Sequence, residues 1–404
     1  MMNIFSDEAR RNPYPLYARI RSASPVLHDP QSDVWMVFDY EGVKRALNDP
    51  EAFSSSLLAA GRKNHEWFIF FDPPRHTKLR GLVMRAFTPR VVANLEPRIR
   101  ELSRELLNQT VERGEMDLAA DFSVPLPMMV IAEMLGVPVA DRLLFKRWSD
   151  AILNLSYDIS GGEEGARAVA EFRATTAGMG NYLAGLIEGR RAAPKDDLLT
   201  RLVEAEVDGE RLTAEEILGF FQLLLVAGTE TTTNLISNAL LCFVENPDQL
   251  DRLRAAPDLL PPAIEEVLRY RSPVQAVFRA TRRDVELHGQ VIPAGKLVLP
   301  MIGSANRDPR QFPDPDRFDI TRDPNPHIAF GHGPHFCLGA ALSRLEARVA
   351  LADLLERVKG FELASSEPWE PHKALLVHGP ARLPIRFEPG TRAAAQAGDS
   401  HAGN

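Results

Sequence analysis

Cysteine is almost missing from this chain. Only Cys242 and Cys337 occur among 404 residues, too few to crosslink a protein of this size, and such scarcity is typical of a reducing compartment. No apolar run approaches the ~20 residues needed to span a bilayer. The N-terminus also lacks the basic and apolar segments of a signal peptide. We therefore expect a cytoplasmic protein with no membrane association.

The chain also has no excess of positive charge. The chain carries 47 basic and 55 acidic residues, a net charge of −8. This balance argues against the broad basic surface that nucleic-acid binding needs, although a small basic patch for an acidic protein partner remains compatible with it. No repeat or low-complexity linker divides the sequence. We expect one domain over residues 1–388, followed by a disordered tail over residues 389–404.

Helical periodicity dominates from about residue 95 to about residue 360. The longest helix begins near Thr213, which forms a capping-box pattern with Glu216, and its apolar pattern runs to Val244. The centre of this helix is apolar on all sides, which predicts burial in the middle of the domain. Short β-like runs occur at Val34–Phe38, Val285–Leu287, Lys296–Pro300 and Leu383–Phe387. The sequence thus predicts a mainly α, helix-rich single domain with small peripheral β-sheets.

A glycine-rich loop with the sequence FGHGPHFCLG surrounds Cys337 and precedes a helical run. The glycines permit positive φ and a close approach of the backbone to a flat ligand. We expect Cys337 at the helix start, where free amide groups and the helix dipole stabilise a thiolate. A thiolate can bind haem iron, whereas the alternative is a buried structural cysteine in a turn.

The loop resembles the cysteine signature of the cytochrome P450 family, and with the motifs below the resemblance covers nearly the whole chain. It implies the cytochrome P450 fold, haem b as cofactor and the Cys337 thiolate as the iron ligand. It further implies mono-oxygenation of a hydrophobic small molecule with O2. The residues at the signature positions are Phe330, Gly331, Gly333, His335, Cys337 and Gly339, and all of them except Gly333 are expected cofactor contacts.

The long helix contains the segment AGTETTT, residues 227–233. Glycine and threonine are poor helix formers, and threonine hydroxyls can bond to carbonyls of the preceding turn, so a packing kink is one explanation. The segment also resembles the family's acid–alcohol motif. That resemblance implies that Ala227 and Gly228 leave room for O2, Thr231 hydrogen-bonds the oxygen or an ordered water, and Glu230 relays protons.

Two further motifs resemble family segments. In the segment from Asp72 to Arg80, the resemblance implies that His76 and Arg80 contact the haem propionates, together with Arg279 and His335. Each of these alone could be an ordinary surface base. The pair Glu266 and Arg269 is spaced i,i+3, and the resemblance implies a structural network that Arg317 completes. We interpret Cys242, in an apolar helix, as a core residue.

The family's substrate contacts come from variable segments, which are rich in apolar residues here. They predict a hydrophobic substrate, although the same residues could belong to the ordinary core. A glycine-rich stretch, Gly161–Gly165, is expected to form part of a lid. The segments are approximately Leu57–Phe71, Ala151–Gly180, Leu223–Ala227, Val274–Phe278, Ile302 and Leu375–Val377.

Oxygen activation requires two electrons, and the sequence shows no flavin or iron–sulfur segment. We expect ferredoxin and ferredoxin reductase to supply them, with a basic surface near Arg75, Arg344 and Arg348 steering an acidic ferredoxin. Two alternatives remain open. One is a peroxide-driven peroxygenase, which the acid–alcohol pair disfavours. The other is a haem-based gas sensor without catalysis, in which a proton relay would have no purpose.

Overall fold

A computed structural model describes residues 6–62, 67–138, 141, 144–145, 147–148, 151–152, 162–207, 209–372 and 376–392. Helices dominate these residues, as the sequence predicts. None of the helices in these ranges is both long and apolar enough to cross a membrane. The helices are α1 Asp7–Arg11, α2 Tyr14–Ala23, α3 Tyr40–Asn48, α4 Arg75–Ala86, α5 Pro89–Ala93, α6 Glu96–Asn108, α7 Pro125–Met134, α8 Gly162–Ala192, α9 Leu198–Glu204, α10 Ala214–Glu245, α11 Pro247–Ala255, α12 Leu260–Tyr270, α13 Ile302–Ala305 and α14 Ala340–Arg357.

The strands are short and form small sheets at the periphery, which also agrees with the prediction. The largest sheet has the order β1-β2-β10-β7-β3, and a three-stranded sheet has the order β11-β14-β4. In the first sheet only the β2–β10 pair is parallel. The strands are β1 Val26–Asp29, β2 Val34–Val37, β3 Phe53–Ser54, β4 Glu115–Asp117, β5 Glu206–Val207, β6 Glu210–Arg211, β7 Arg279–Thr281, β8 Val285–Leu287, β9 Gln290–Ile292, β10 Leu297–Pro300, β11 Lys359–Leu363, β12 Glu370–Pro371, β13 Pro380–Arg382 and β14 Pro384–Glu388.

The central helix α10 begins and ends within a residue of its predicted bounds. The Thr213 hydroxyl accepts the Glu216 amide at 3.1 Å, and the Glu216 carboxylate accepts the Thr213 amide at 3.0 Å, which completes the capping box. Helices α7, α12 and α14 pack against α10. Residues 232–243 are therefore buried on every side of the helix. Cys242 lies in this stretch, as predicted for a core residue, and burial raises the pKa of its thiol to about 12.

A buried ion-pair network fixes α12 to the segment before the cysteine loop. Arg269 donates to both carboxylate oxygens of Glu266 at 2.8 Å, and neither side chain is exposed. The expected role of the Arg317 side chain is wrong, because that side chain is exposed and only its carbonyl oxygen accepts from Arg269. Arg322 is the second cation, with Nε 3.3 Å from Glu266. The backbone turn after Asp314, where φ is +45°, presents the Arg317 carbonyl to the network.

Several predicted segments extend past the described residues. Of the expected tail, residues 393–404 lie outside them. The same holds for residues 63–66, for residues 153–161, which include Gly161 of the expected lid, and for Leu375 in an expected substrate segment. The extent of the domain stays a prediction.

Candidate active site

The cysteine loop is held in shape by two left-handed glycines and one backbone bond. Gly331 and Gly333 have φ of +75° and +71°, values that side chains with a Cβ rarely adopt. A Cβ on Gly333 would lie only 3.0 Å from the Asn48 Cα, so this glycine also permits contact with α3. The Cys337 amide donates to the Phe330 carbonyl oxygen at 2.8 Å, which closes the loop.

Cys337 lies before the helix instead of at its start. Helix α14 begins at Ala340, because Leu338 and Gly339 form a turn between Cys337 and the helix. Burial raises the pKa of the Cys337 thiol, while the Gly339 amide and the charges of Arg80 and Arg344 act in the opposite direction. A bound metal cation would reverse the balance, since a coordinating thiol loses its proton. The surroundings of the sulfur therefore suit a metal ligand.

Charged side chains pack against the cysteine loop. The Arg344 guanidinium lies 4.4 Å from the centre of the Phe330 ring and donates twice to Glu265, each time at 2.7 Å. His327 contacts the same carboxylate at 3.0 Å. Burial acts to raise the pKa of Glu265, but the bonds from Arg344 and His327 hold it at about 2. The loop thus rests on an ion pair that stays charged near neutral pH.

His76, Arg80, Arg279 and His335 are brought together, as the sequence predicts. The rings of His76 and His335 stack at 3.8 Å between centroids, and Arg80 donates to the Phe336 carbonyl oxygen at 2.7 Å. Strand β7 begins at Arg279, whose side chain is buried. Among the described residues, neither buried ring nitrogen of His76 has a hydrogen-bond partner.

This cluster has the chemistry of an anion site. Burial lowers the pKa of His76 to about 4, of His335 to about 3 and of Arg279 to about 10. For the two histidines, neighbouring positive charges act in the same direction. Asp72 opposes these shifts, but its carboxylate is already paired with Arg282 at 2.6 Å. Buried cations and orphaned ring nitrogens are suitable partners for the two propionates of haem. The residues present therefore fit that cofactor.

The predicted oxygen groove lies in the middle of α10. The Thr231 hydroxyl donates to the Ala227 carbonyl oxygen at 2.6 Å, as expected for a threonine that bonds to the preceding turn. Burial raises the pKa of Glu230 to about 7. A Cβ on Gly228 would lie 2.8 Å from the Ile131 Cδ1, so α10 packs closely against α7 at this glycine. The oxygen-related roles stay predictions.

The sequence analysis missed a residue that joins two of the expected substrate segments. The Trp67 indole donates to the Gln222 side-chain oxygen at 3.0 Å, and the Gln222 amide donates to the Thr176 hydroxyl at 3.2 Å. Gln222 is buried in α10, whereas Thr176 lies in α8. A lone amide between apolar residues of the helix was the available signal. A buried polar side chain requires partners, but the sequence does not identify them.

The expected basic patch stays a prediction, although each of its three arginines lies near a carboxylate. Arg344 is paired with Glu265, and Arg348 is paired with Glu96 at 2.6 Å. Arg75 lies 3.7 Å from Glu216 and stacks on Phe71. The carboxylate of Glu96 is shared with Arg100, so the positive charge at these arginines is only partly neutralised.

Comparison with known proteins identifies the family. The family model described as Cytochrome P450 matches residues 171–383. "Putative cytochrome P450 YjiB" of Bacillus subtilis is 46% identical and the alignment covers 89% of this chain and 90% of that protein. For "Cytochrome P450 monooxygenase PikC" of Streptomyces venezuelae the identity is 42%, with 96% and 94% covered. The crystal structure of CYP109E1 from Bacillus megaterium in complex with corticosterone has a TM-score of 0.86 at 42% identity, covering 94% of this chain and 99% of that one.

These likenesses confirm the predicted family, fold and cofactor. The similarity extends along the same chain that carries the cysteine loop, the anion cluster and the groove in α10. The chain therefore belongs to the cytochrome P450 family, as a haem b mono-oxygenase that oxidises small molecules with O2.

Proposed function

We propose that this chain hydroxylates or epoxidises a lipophilic small molecule, with the Cys337 thiolate as the iron ligand. Bound haem supplies the chemistry of oxygen activation, and a thiolate ligand favours O–O cleavage. The observation that carries the proposal is one arrangement: a cysteine on a glycine-shaped loop beside two arginines and two histidines. Phe330, Gly331 and Gly339 belong to the loop around that sulfur and are proposed to contact the haem, and His76, Arg80, Arg279 and His335 receive the propionates.

In the groove of α10 we assign proton handling to Glu230 and Thr231. The pKa of Glu230, about 7, allows this carboxyl both to take up and to release a proton near neutral pH. Thr231 can exchange its bond to the Ala227 carbonyl for a bond to oxygen or water. Ala227 is exposed on the helix, so the groove stays open at that point. These residues would deliver protons to an otherwise dry site.

The substrate is proposed to be lipophilic and of natural-product size, such as a terpenoid, a macrolide or a fatty acid. Apolar side chains line the segments expected to contact it, including Phe70, Val226, Val274 and Leu376. The similar CYP109E1 was crystallised with corticosterone, which supports rigid polycyclic molecules as the first compounds to test. An apolar pocket with few polar groups selects such ligands.

Electrons are proposed to come from ferredoxin and ferredoxin reductase in the cytoplasm. The scarcity of cysteine favours a reducing compartment. Because Arg344 and Arg348 are paired with carboxylates, local shape should contribute more to docking than bulk positive charge.

The experiment is turnover under isotopically labelled O2 with NADPH, ferredoxin and ferredoxin reductase. Compounds are first chosen by the spin-state change they cause in the haem spectrum. The proposal predicts one labelled oxygen atom in the product, with no product when ferredoxin is left out. Turnover with hydrogen peroxide but none with reduced ferredoxin would replace the proposal with a peroxygenase. Haem binding without any product would favour a sensor.

A further inference from the structure

Ser55 lies where the proposed propionate-binding residues meet, although no sequence motif marks it. The antiparallel pairing of β3 with β7 sets Ser54 opposite Ala280. By the same register, Ser55 follows β3 at the position opposite Arg279. Its side chain is buried, and its hydroxyl oxygen lies 2.9 Å from Nε2 of His335. A buried serine thus connects the strand edge to the cysteine loop.

Asp72 fixes the backbone of Ser55. One Asp72 oxygen accepts the Ser55 amide at 2.8 Å, and the other accepts the Ser54 hydroxyl and the Arg282 guanidinium. Burial alone would raise the pKa of Asp72, but these bonds lower it, so the carboxylate stays charged. The Asp72 carbonyl oxygen also accepts the His76 amide at 3.0 Å. Ser55 is therefore held in register with the start of α4.

The position of Ser55 decides which ring nitrogen of His335 is available. The Ser55 hydroxyl is hydrogen-bonded to Nε2 of His335, and the ring of His76 stacks on one face of the imidazole. Nδ1 is the nitrogen left to face another partner. A carboxylate can only accept hydrogen bonds, so His335 must present an N–H to it. A second residue that holds one ring nitrogen commonly fixes the role of the other.

We propose that Ser55 is a positioning residue, whose hydroxyl holds Nε2 of His335 so that Nδ1 donates to a haem propionate. The inference rests on the proposed placement of haem beside His335. It concerns retention of the cofactor, and Ser55 takes no part in oxygen chemistry. Its effect is therefore measured as haem loss from the complete haem protein.

The first measurement is the rate of haem transfer to excess apomyoglobin. Ser55→Ala should lose haem about fivefold faster than wild type, because one buried hydrogen bond is lost and the ring is freed. Ser55→Thr retains a hydroxyl and should stay within about twofold of wild type. Ser54→Ala is the matched control, since it removes a neighbouring buried hydroxyl bonded to Asp72 but leaves the bond to His335. It should also stay within about twofold.

The second measurement is 15N NMR of labelled histidines in the diamagnetic ferrous carbon monoxide complex, with the signal assigned by its loss in His335→Gln. Wild type should carry the His335 proton on Nδ1, and Ser55→Ala should change the balance between the two nitrogens. The inference is overturned if Ser55→Ala loses haem no faster than Ser54→Ala, or if wild type has its His335 proton on Nε2 alone. A wild-type protein without a thiolate-type carbon monoxide spectrum would instead refute the proposed function.

Discussion

The cysteine side and the substrate side of this protein are held by different kinds of interaction. On the cysteine side, Glu266 is bonded to Arg269 and Arg322, and Glu265 is bonded to Arg344. On the substrate side, neutral bonds from Gln222 join two segments through a single buried amide. Breaking a buried ion pair leaves an unpaired charge, which costs more free energy than the unpaired polar group left by breaking a neutral hydrogen bond. The cysteine side should therefore stay fixed, whereas the substrate side should open at a lower cost in free energy.

The largest effect should come from the cysteine side. Glu266→Gln leaves the fully buried Arg269 without its carboxylate, which should cost about 3–5 kcal/mol in the free energy of unfolding. The measurement is urea unfolding followed by circular dichroism and by haem absorbance. Arg317→Ala is the matched control, because that side chain is exposed and contributes only its backbone carbonyl. A control variant as unstable as Glu266→Gln would restore the original expectation for Arg317.

A smaller effect is expected on the substrate side. Gln222→Leu leaves the Trp67 indole and the Thr176 hydroxyl without that partner, which should cost about 1–3 kcal/mol. Hydrogen exchange should increase in residues 67–71 and around residue 176, while α14 stays protected. Thr176→Val removes one of the two bonds and should give the weaker change. Equal loss of protection in α14 would contradict the contrast between the two sides.

The Glu230 carboxyl in the groove of α10 should make the stability of the protein depend on pH. Burial raises the pKa of Glu230 from 4.5 to about 7. A carboxyl with a raised folded-state pKa contributes its full stability below its unfolded pKa and loses it as the pH rises through the folded value. Wild type should therefore lose about 1–2 kcal/mol relative to Glu230→Gln as the pH rises from 5 to 8, after allowance for solvent screening. A difference that does not vary with pH would contradict burial of this carboxyl.

Surface charge should give the smallest effect. Arg348 is already paired with Glu96, so Arg348→Ala should slow electron transfer from ferredoxin by less than about twofold at low ionic strength. Stopped-flow reduction of the haem under carbon monoxide measures this rate. Glu96→Ala, which exposes the arginine charge, is the companion variant and should speed the transfer if charge matters. A tenfold loss in Arg348→Ala would show that the paired arginine still steers the partner.

Local patterns predicted the parts of the molecule that depend on local geometry. The capping box at Thr213 placed the start of α10, and the glycines around Cys337 predicted a loop with positive φ. The threonine bond from Thr231 to Ala227 also follows from helix geometry alone.

Contacts between distant segments were not predictable in the same way. Arg317 and Arg322 lie in one turn, and the backbone path decides which guanidinium reaches Glu266. Gln222 and Ser55 acquire their roles from partners more than forty residues away in the sequence. The ion pairs at the expected basic patch were equally unpredictable, because Arg344 pairs with Glu265 of α12, which is distant in the sequence.

The most direct test of the account is the carbon monoxide spectrum of the reduced protein, recorded for wild type, Cys337→Ser and Cys242→Ser. The account predicts the red-shifted Soret band of thiolate ligation in wild type and in Cys242→Ser, because Cys242 is a core residue of α10. Cys337→Ser should lack that band. Retention of the band in Cys337→Ser, or its absence from wild type, would contradict the assignment of the iron ligand.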